Sequence, residues 1–470
     1  MQYPVSLQTF NYFSSPSSPS SPEPNTPVPG NEPKVTKITN CKILKDRKIV
    51  EKDSIWIQNG KIIDPHKFFW HQKRLPDEVL DAQGLLVVPG FIETQINGAF
   101  GVDFSVPLDH DAYEKALLKV NRGLLKFGTT SYCPTIVSSS AAVYHKVLPH
   151  LKPRLGSAAT GATILGAHVE GPFISEARIG AHELKVLQAS APNGYKDFKD
   201  VYGFEGETPE AQKKLSEQDL QCVKIITCAP ELDGVMESIP DLVKAGITVS
   251  VETMIPDLVK AGIIVSVGHS MANIFQAEQS VENGATFITH LFNAMPQFHH
   301  RDPGVIGLLG SRLDLPRPYY GLICDGIHVH PNSVKIAYDS HPEGVILVTD
   351  AMSAMGLAPG NYRLGNMNVT KEEDRVYIEK TDTLAGSVIT LDACIRNFIK
   401  FTHCSVIEAL EAVTLHPAVL LGIQETKGVI KPGADADLVF LSEDLYVKRV
   451  FVAGEEVNLN AIDVEAVEKF

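Results

Sequence analysis

Apolar, strand-like runs alternate with helix-like stretches along most of this 470-residue chain, and this alternation constrains the fold more than any other feature. Strands that alternate with helices form parallel βαβ units. The runs lie at residues 91–98, 129–137, 162–171, 223–231, 263–270, 286–294, 319–329 and 345–351. Eight runs predict a (β/α)8 barrel, and a doubly wound open sheet is the alternative that the pattern leaves open.

The two flanks of the alternating region differ from its centre. Short β-like runs with Gly and Asn breaks begin at Val35 and return between Lys427 and Val457, which predicts one small β domain built from both flanks. Residues before Val35 are rich in Ser and Pro and predict a disordered tail, which we interpret as a dispensable extension rather than a phosphorylated docking segment. The predicted division is a tail at 1–33, a small β-sandwich domain from 34–88 and 425–470, and the barrel domain at 89–424.

A tandem repeat interrupts the barrel pattern. Residues 239–251 are IPDLVKAGITVSV and residues 255–267 are IPDLVKAGIIVSV, an offset of 16 residues. Two copies are too few for a solenoid, so we interpret them as a recent duplication or a gene-model error, with a surface insertion as the alternative. Only the second copy continues into GHS, and we expect it to occupy the barrel strand.

Composition excludes several classes of function. The 42 Lys and Arg against 56 Asp and Glu give a formal net charge of −14, which disfavours binding to nucleic acid or to anionic membranes. Seven scattered cysteines without a CxxC pair indicate neither a disulfide framework nor a zinc ribbon. Nucleotide-binding glycine motifs, a secretory signal and a membrane-length apolar run are absent from the sequence, so we expect a cytoplasmic protein.

Ligand-type side chains follow three of the predicted strands. Glu170, His269 and His290 each stand where an apolar run ends, which in a barrel is the end that carries the active site. Two imidazoles and one carboxylate suit a catalytic divalent cation and leave an open coordination position. Each residue alone could serve as a structural hydrogen-bonding or capping group, but their recurrence at strand ends favours a metal site.

Other polar residues at the strand ends suit acid–base chemistry and an anionic ligand. Asp350 ends the run VILVTD, where it could accept a proton from an attacking water or cap the next helix. His182, Asn293, Arg301 and His328 occur in the motifs IGAHE, NAMPQFHHRDPG and CDGIHVH, and Arg and His side chains bind phosphate oxygens.

As an ordered set, these motifs resemble the N-acetylglucosamine-6-phosphate deacetylases of the amidohydrolase superfamily. The resemblance rests on PGFIETQINGAFGVDF, HVEGPFIS, IGAHE, VGHS, THLFNAMP, DGIHV, LVTDAM, TLAGS and KPGADADLVFL, and it covers roughly residues 35–457. It implies a barrel with a small β domain, one divalent metal on Glu170, His269 and His290, and Asp350 as the acid/base.

The resemblance also implies a reaction and a set of substrate contacts. The reaction is hydrolysis of N-acetylglucosamine 6-phosphate to glucosamine 6-phosphate and acetate. The implied contacts are Ala181, His182, Asn293, Ala294, Arg301, His328, Leu384, Ala385 and Gly386. In the family the arginine reaches the phosphate of the neighbouring subunit, so Arg301 implies a homodimer with shared sites.

Gln95 and Asn97 stand where most amidohydrolases carry two histidines on the first barrel strand. Neither amide is a strong ligand for a transition metal, so we expect one cation rather than two. Zinc is the favoured cation, with iron, cobalt and manganese as alternatives. A cyclic-amide hydrolase and an inactive scaffold or regulatory binder are the alternative functions.

Overall fold

The computed structural model describes residues 33–203, 222–245, 262–365 and 367–464. The predicted tail therefore lies outside the described residues, apart from Pro33. The first part of the chain forms five strands and one helix. They are β1 (Val35–Lys45), β2 (Lys48–Gln58), β3 (Lys61–Ile63), α1 (Pro65–Gln72), β4 (Glu78–Asp81) and β5 (Leu86–Pro89).

The barrel follows, with a small hairpin (β7 and β8) inserted after its first strand. These strands are β6 (Phe91–Ile96), β7 (Gly98–Ala99), β8 (Val102–Asp103), β9 (Thr129–Val137), β10 (Thr163–Ile164), β11 (Ala167–Glu170), β12 (Val223–Cys228), β13 (Ile264–Val267), β14 (Phe287–Ile288), β15 (Tyr319–Ile323) and β16 (Val345–Val348). All barrel pairings are parallel and run β6–β9–β11–β12–β13–β14–β15–β16, with β10 also on β9. A parallel bridge between Ile96 and Ala351 joins the first and last strands. The predicted (β/α)8 barrel is confirmed.

Helices connect the barrel strands, as the alternation predicts. They are α2 (His110–Leu124), α3 (Ala141–Val147), α4 (Tyr195–Tyr202), α5 (Val235–Ala245), α6 (Ile274–Glu282), α7 (Pro331–Ser340), α8 (Leu391–Thr402), α9 (Val406–Glu411) and α10 (Leu415–Leu420). A 3-10 segment, Gly304–Gly310, lies between β14 and β15. Within the described ranges, none of the helices has the length and apolarity needed to cross a membrane.

A three-stranded antiparallel meander lies between β16 and α8, and the chain then returns to its first sheet. The meander strands are β17 (Gly360–Leu364), β18 (Met367–Glu372) and β19 (Arg375–Ile378). The final strands are β20 (Leu438–Leu441), β21 (Val447–Val452) and β22 (Glu455–Glu456). β20 pairs with β5, so one eight-stranded sheet takes its strands from both ends of the described chain. The exact domain boundaries stay a prediction.

The barrel interior changes from apolar to polar along each strand. Alternate residues of a strand point to the same side, so Ile225 and Thr227 share the inward face of β12, and Phe287 and Thr289 form a similar column at β14. Ile225 and Phe287 belong to one apolar cluster with residues of the other strands. Near the strands' carboxyl ends the described inward groups include hydroxyls, imidazoles and carboxylates, which places reactive polar groups at that end of the barrel.

The two repeat copies contribute to different elements. Residues 239–245 of the first copy lie in α5, and residues 264–267 of the second copy form β13 between β12 and β14. The expectation that the second copy occupies the barrel strand is confirmed. The intervening residues, 246–261, lie outside the described residues.

Candidate metal centre and active site

Three barrel strands bring the predicted metal ligands to one point. Glu170 is the last residue of β11, and His269 and His290 follow β13 and β14 by two residues each. Glu170 Oε1 lies 2.8 Å from His290 Nε2 and 3.2 Å from His269 Nε2, and the two Nε2 atoms are 2.9 Å apart. All three side chains are buried. The structure therefore places them together as the sequence analysis expects, and their role as ligands stays a prediction.

The electrostatics of this cluster favour a charged carboxylate. Burial opposes the ionisation of Glu170, but the hydrogen bonds to His269 and His290 outweigh it and hold the pKa of Glu170 well below its ordinary value. Burial acts against the charged form of His290, yet its hydrogen bond to Glu170 raises the pKa of that imidazole. A buried negative charge beside two imidazoles is stabilised by a positive charge at the same point.

The partners of the ring nitrogens decide which histidine atoms can bind a cation. His269 Nδ1 lies 2.8 Å from the carbonyl oxygen of Arg178, which can only accept, so Nδ1 carries the ring proton and Nε2 keeps a lone pair in the neutral ring. That lone pair points at Glu170 and His290 Nε2. Two imidazole nitrogens and one carboxylate oxygen that converge within hydrogen-bonding distance are a donor set that fits Zn²⁺ or a related divalent ion.

His182 also belongs to the cluster, but its ring proton lies on the other nitrogen, Nε2. Its ring centroid lies 4.6 Å from that of His269, and Glu170, His182 and His269 each place a ligand atom within 4.8 Å of the others. The backbone N–H of Ser138 donates to His182 Nδ1 at 3.1 Å, so the ring proton must sit on Nε2. Burial and the neighbouring His269 lower the pKa of His182 to about 3, which keeps the ring neutral. A neutral ring with one nitrogen accepting and the other protonated is a hydrogen-bond donor, not a metal ligand.

Asp350 lies beside the cluster and is held by two amide side chains. Asn97 Nδ2 donates to Asp350 Oδ1 at 2.8 Å, and Gln95 Nε2 lies 3.3 Å from the same oxygen and 3.1 Å from Glu170 Oε1. Burial and the charge of Glu170 raise the pKa of Asp350 to about 6. Gln95 thus connects the predicted base to the predicted metal ligand, and Asn97 holds the base alone.

The other predicted substrate contacts lie around this centre. Asn293 and Ala294 follow His290 in a turn in which the Asn293 N–H donates to the His290 carbonyl oxygen. Gly386 packs directly on Asp350, because a Cβ there would lie 3.2 Å from the Asp350 carbonyl oxygen. The neighbouring loop residues Leu384 and Ala385 pair with β19, and Ala181 packs in the same apolar cluster as Ala385.

Two predicted phosphate contacts differ in how they are supported. His328 Nδ1 lies 2.6 Å from Asp325 Oδ2, and this carboxylate also accepts the backbone N–H groups of Ile327 and His328. The imidazole is therefore fixed in orientation with Nε2 directed elsewhere. Arg301 is exposed, and no side-chain hydrogen bond ties it to the centre within the described residues. The structure thus groups Glu170, His182, His269, His290 and Asp350, and the substrate contacts stay a prediction.

The groups that orient the functional side chains have no role predicted from the sequence. Ser138 fixes the tautomer of His182, the carbonyl of Arg178 fixes that of His269, and Asp325 orients His328. Only Asp325 left a signal, because it lies within the motif DGIHV. The other two act through backbone atoms, which carry no sequence signature.

The fold and the site together define a class of protein. The Amidohydrolase family model matches residues 86–457 of this chain, which covers the barrel and the returning strands of the first sheet. The chain belongs to the amidohydrolase family.

The similar proteins define the branch of that family. The N-acetylglucosamine-6-phosphate deacetylase of Danio rerio is 43% identical over 90% of this chain and 96% of its own length. The Homo sapiens enzyme of the same name is 43% identical over 90% of this chain and 95% of its own. A variant of the Mycobacterium smegmatis deacetylase, solved in complex with N-acetyl-D-glucosamine-6-phosphate, has a TM-score of 0.70 at 26% identity and covers 91% of this chain and 99% of that one. Within the amidohydrolases, this chain is a member of the N-acetylglucosamine-6-phosphate deacetylase family.

Proposed function

We propose that this chain hydrolyses the acetamide of N-acetylglucosamine 6-phosphate to glucosamine 6-phosphate and acetate. The observation that carries the proposal is the convergence of Glu170, His269 and His290 on one point, with Asp350 beside them. This arrangement combines a cation-binding donor set with a base, which amide hydrolysis requires.

The cation site comprises Glu170, His269 and His290. A divalent cation bound there supplies a Lewis acid that polarises the amide carbonyl and makes water a stronger nucleophile. Zinc suits this set best, and iron, cobalt and manganese are the alternatives because two imidazoles and a carboxylate serve several metals.

Asp350 acts as the proton carrier. Among the described residues both amide donors go to its Oδ1, which leaves Oδ2 for a proton. Asp350 takes the proton from the attacking water and later gives it to the departing amine. The pKa near 6 of this carboxyl suits both steps, because it is ionised at neutral pH yet holds a proton more readily than an exposed carboxyl.

His182 stabilises the negative charge that develops on the carbonyl oxygen. Its Nε2–H is the only ring donor left after Ser138 occupies Nδ1, and the neutral ring keeps that proton at all working pH values. Removal of one such donor typically costs about 3 kcal/mol of transition-state stabilisation.

The phosphate binds to His328 and to Arg301 of a second copy, so the active form is a homodimer. Arg301 is exposed, and within the described residues its side chain makes no hydrogen bond to the centre of its own subunit. A residue that serves the neighbouring subunit would have this environment. Phe298, three residues before Arg301, is 63% exposed, and Phe275, which follows Ile274 whose N–H donates to Asp302, is 72% exposed. Exposed apolar side chains of this kind are what association covers. We propose the cytoplasm as the compartment in which this reaction takes place.

A paired substrate assay tests the proposal. Purified protein incubated with N-acetylglucosamine 6-phosphate should release equal amounts of acetate and glucosamine 6-phosphate, and unphosphorylated N-acetylglucosamine should react far more slowly. Equal rates with both sugars would contradict the phosphate contacts and favour another amidohydrolase activity. Absence of turnover together with less than about 0.1 metal ion per chain would favour a binding protein.

A further inference from the structure

A chain of buried polar side chains crosses the barrel directly beneath the candidate metal centre. Ser266 Oγ lies 2.5 Å from Thr289 Oγ1, Thr289 Oγ1 lies 2.7 Å from Thr227 Oγ1, and Thr227 Oγ1 lies 2.7 Å from His168 Nε2. His168 Nδ1 ends the chain 2.9 Å from the carbonyl oxygen of Thr94. All of these side chains are fully buried, and together they connect β6, β11, β12, β13 and the residue that follows β14.

The Thr94 carbonyl at its end fixes the donor-to-acceptor direction of this row of hydrogen bonds. The Thr94 carbonyl can only accept, so His168 Nδ1 donates, and in the neutral ring His168 Nε2 must accept from the hydroxyl of Thr227. Thr227 then accepts from Thr289, and Thr289 from Ser266. Every hydroxyl in the chain is used once as a donor, so removal of any member leaves a buried partner unsatisfied.

Two members, His168 and Thr289, lie within two residues of a residue of the candidate centre. His168 lies two residues before Glu170 on the same inward face of β11, and Thr289 immediately precedes His290. The glycine before His269 completes the packing: a Cβ on Gly268 would lie 2.7 Å from Thr289 Cβ and 2.8 Å from Thr227 Cγ2. The hydrogen-bonded side chains and the candidate metal centre thus form adjacent layers of the barrel interior.

The backbone at the centre requires such support. His269, His290 and Asp350 have φ values of +47°, +28° and +47°, a region that side-chain-bearing residues occupy at a cost of order 1–3 kcal/mol each. Such conformations persist where the surroundings impose them. Thr289 immediately precedes His290, and Ser266 lies three residues before His269, so the hydrogen-bonded hydroxyls limit how both strand ends can relax.

We propose that His168 is a positioning residue that, through the Thr227–Thr289–Ser266 hydroxyl chain, holds Glu170, His269 and His290 in the geometry that binds the cation. His168 touches none of the reacting atoms and acts by tying β11 to β6 and β12. The inference rests on the proposed metal site, and it predicts that cation affinity depends on a residue that is not itself a ligand.

The test replaces His168 and measures cobalt binding as well as activity. His168→Phe keeps the ring volume but removes both hydrogen bonds, whereas His168→Gln supplies one donor and one acceptor. We expect His168→Phe to bind Co²⁺ about tenfold more weakly in chelator competition, with an altered visible Co²⁺ spectrum, and His168→Gln to recover much of both. The matched control is His416→Phe, another buried histidine, whose Nδ1 contacts the carbonyl of Val345 at the opposite end of the barrel.

The outcomes separate the inference from the function it rests on. Wild-type Co²⁺ affinity and spectrum in His168→Phe, or an equal loss in His416→Phe, would overturn the positioning role. A wild-type protein that binds no Co²⁺ would overturn the metal site and the inference with it. If His168→Phe does not fold, Thr227→Val, which removes only one hydroxyl, should show the same change in smaller measure, and unchanged binding there would also overturn it.

Discussion

Tautomers decide what each histidine of the site can do. The positions of Glu170, His269 and His290 at strand ends predict a metal centre, and His182 is predicted as a substrate contact, but the sequence alone does not show which ring nitrogens carry protons. The separation comes from backbone atoms: a carbonyl opposite His269 and an N–H opposite His182 leave one ring with a lone pair and the other with a proton. These contacts join distant parts of the chain, which is why no local motif could reveal them.

Substitution of Asp350 tests the base. Asp350→Asn keeps the shape and the position beside Asn97 but cannot accept a proton at neutral pH, so kcat should fall by a factor of about 10²–10⁴ while metal content stays at the wild-type level. The matched control is Asp339→Asn, an exposed helical carboxylate paired with Lys335, which should leave kcat unchanged. Wild-type turnover in Asp350→Asn would remove this residue from the reaction.

Elements were predicted well where an apolar run is long and less well where a polar turn follows. All eight expected runs contain barrel strands, but the run at 162–171 is divided into β10 and β11 at Gly166, whose φ of +109° interrupts the extended backbone. The run at 286–294 forms only two strand residues, because His290 and Ala294 adopt left-handed conformations in the turn. Strand shortening of this kind depends on the tertiary contacts of the site rather than on local propensity.

Deletion of one repeat copy tests the assignment of β13. Removing residues 246–261 joins Ala245, the end of α5, to Gly262 and leaves a single IPDLVKAGIIVSVGHS segment. Because the described helix and strand come from opposite halves of the two copies, we expect the shortened chain to keep its far-UV circular dichroism, its metal content and kcat within about threefold of wild type. Loss of bound metal on deletion would show that the duplicated segment helps to place His269.

At the scale of the whole molecule, a buried lysine and two carboxylates lie together in the segment between α10 and β20, where the chain returns from the barrel to the eight-stranded sheet. Lys427 Nζ lies 2.6 Å from Asp437 and 2.9 Å from Asp435, and both carboxylates belong to the motif KPGADADLVFL. The charges of these two carboxylates outweigh burial and raise the pKa of Lys427. The motif therefore has a structural role that its sequence does not reveal.

Removal of this lysine should destabilise the protein. Lys427→Met leaves the buried Asp437 without its cation, while Asp435 keeps its pair with Lys61, and we expect the free energy of unfolding in urea to fall by about 3–5 kcal/mol. Lys431→Met, which loses an exposed pair with Glu425, should cost less than about 1 kcal/mol. Similar small losses in both variants would show that the buried pair contributes little to stability.

Subunit mixing tests the shared site. Arg301→Ala and Asp350→Asn homodimers should each be nearly inactive on N-acetylglucosamine 6-phosphate at low concentration, for different reasons. If Arg301 serves the neighbouring subunit, a mixed dimer contains one complete site, because the Asp350→Asn chain supplies Arg301 to the chain that retains Asp350. Activity should therefore return when the two variants are unfolded, mixed and refolded together. No recovery, with mixed dimers demonstrated by mass, would place Arg301 in its own subunit's site or outside it.

The most direct test is anomalous diffraction from crystals grown with zinc. One bound ion is predicted among Glu170 Oε1, His269 Nε2 and His290 Nε2, with His182 outside its coordination shell and Asp350 facing it. An ion coordinated by His182 in place of His290, or side chains of the three residues that share no ion, would contradict the account.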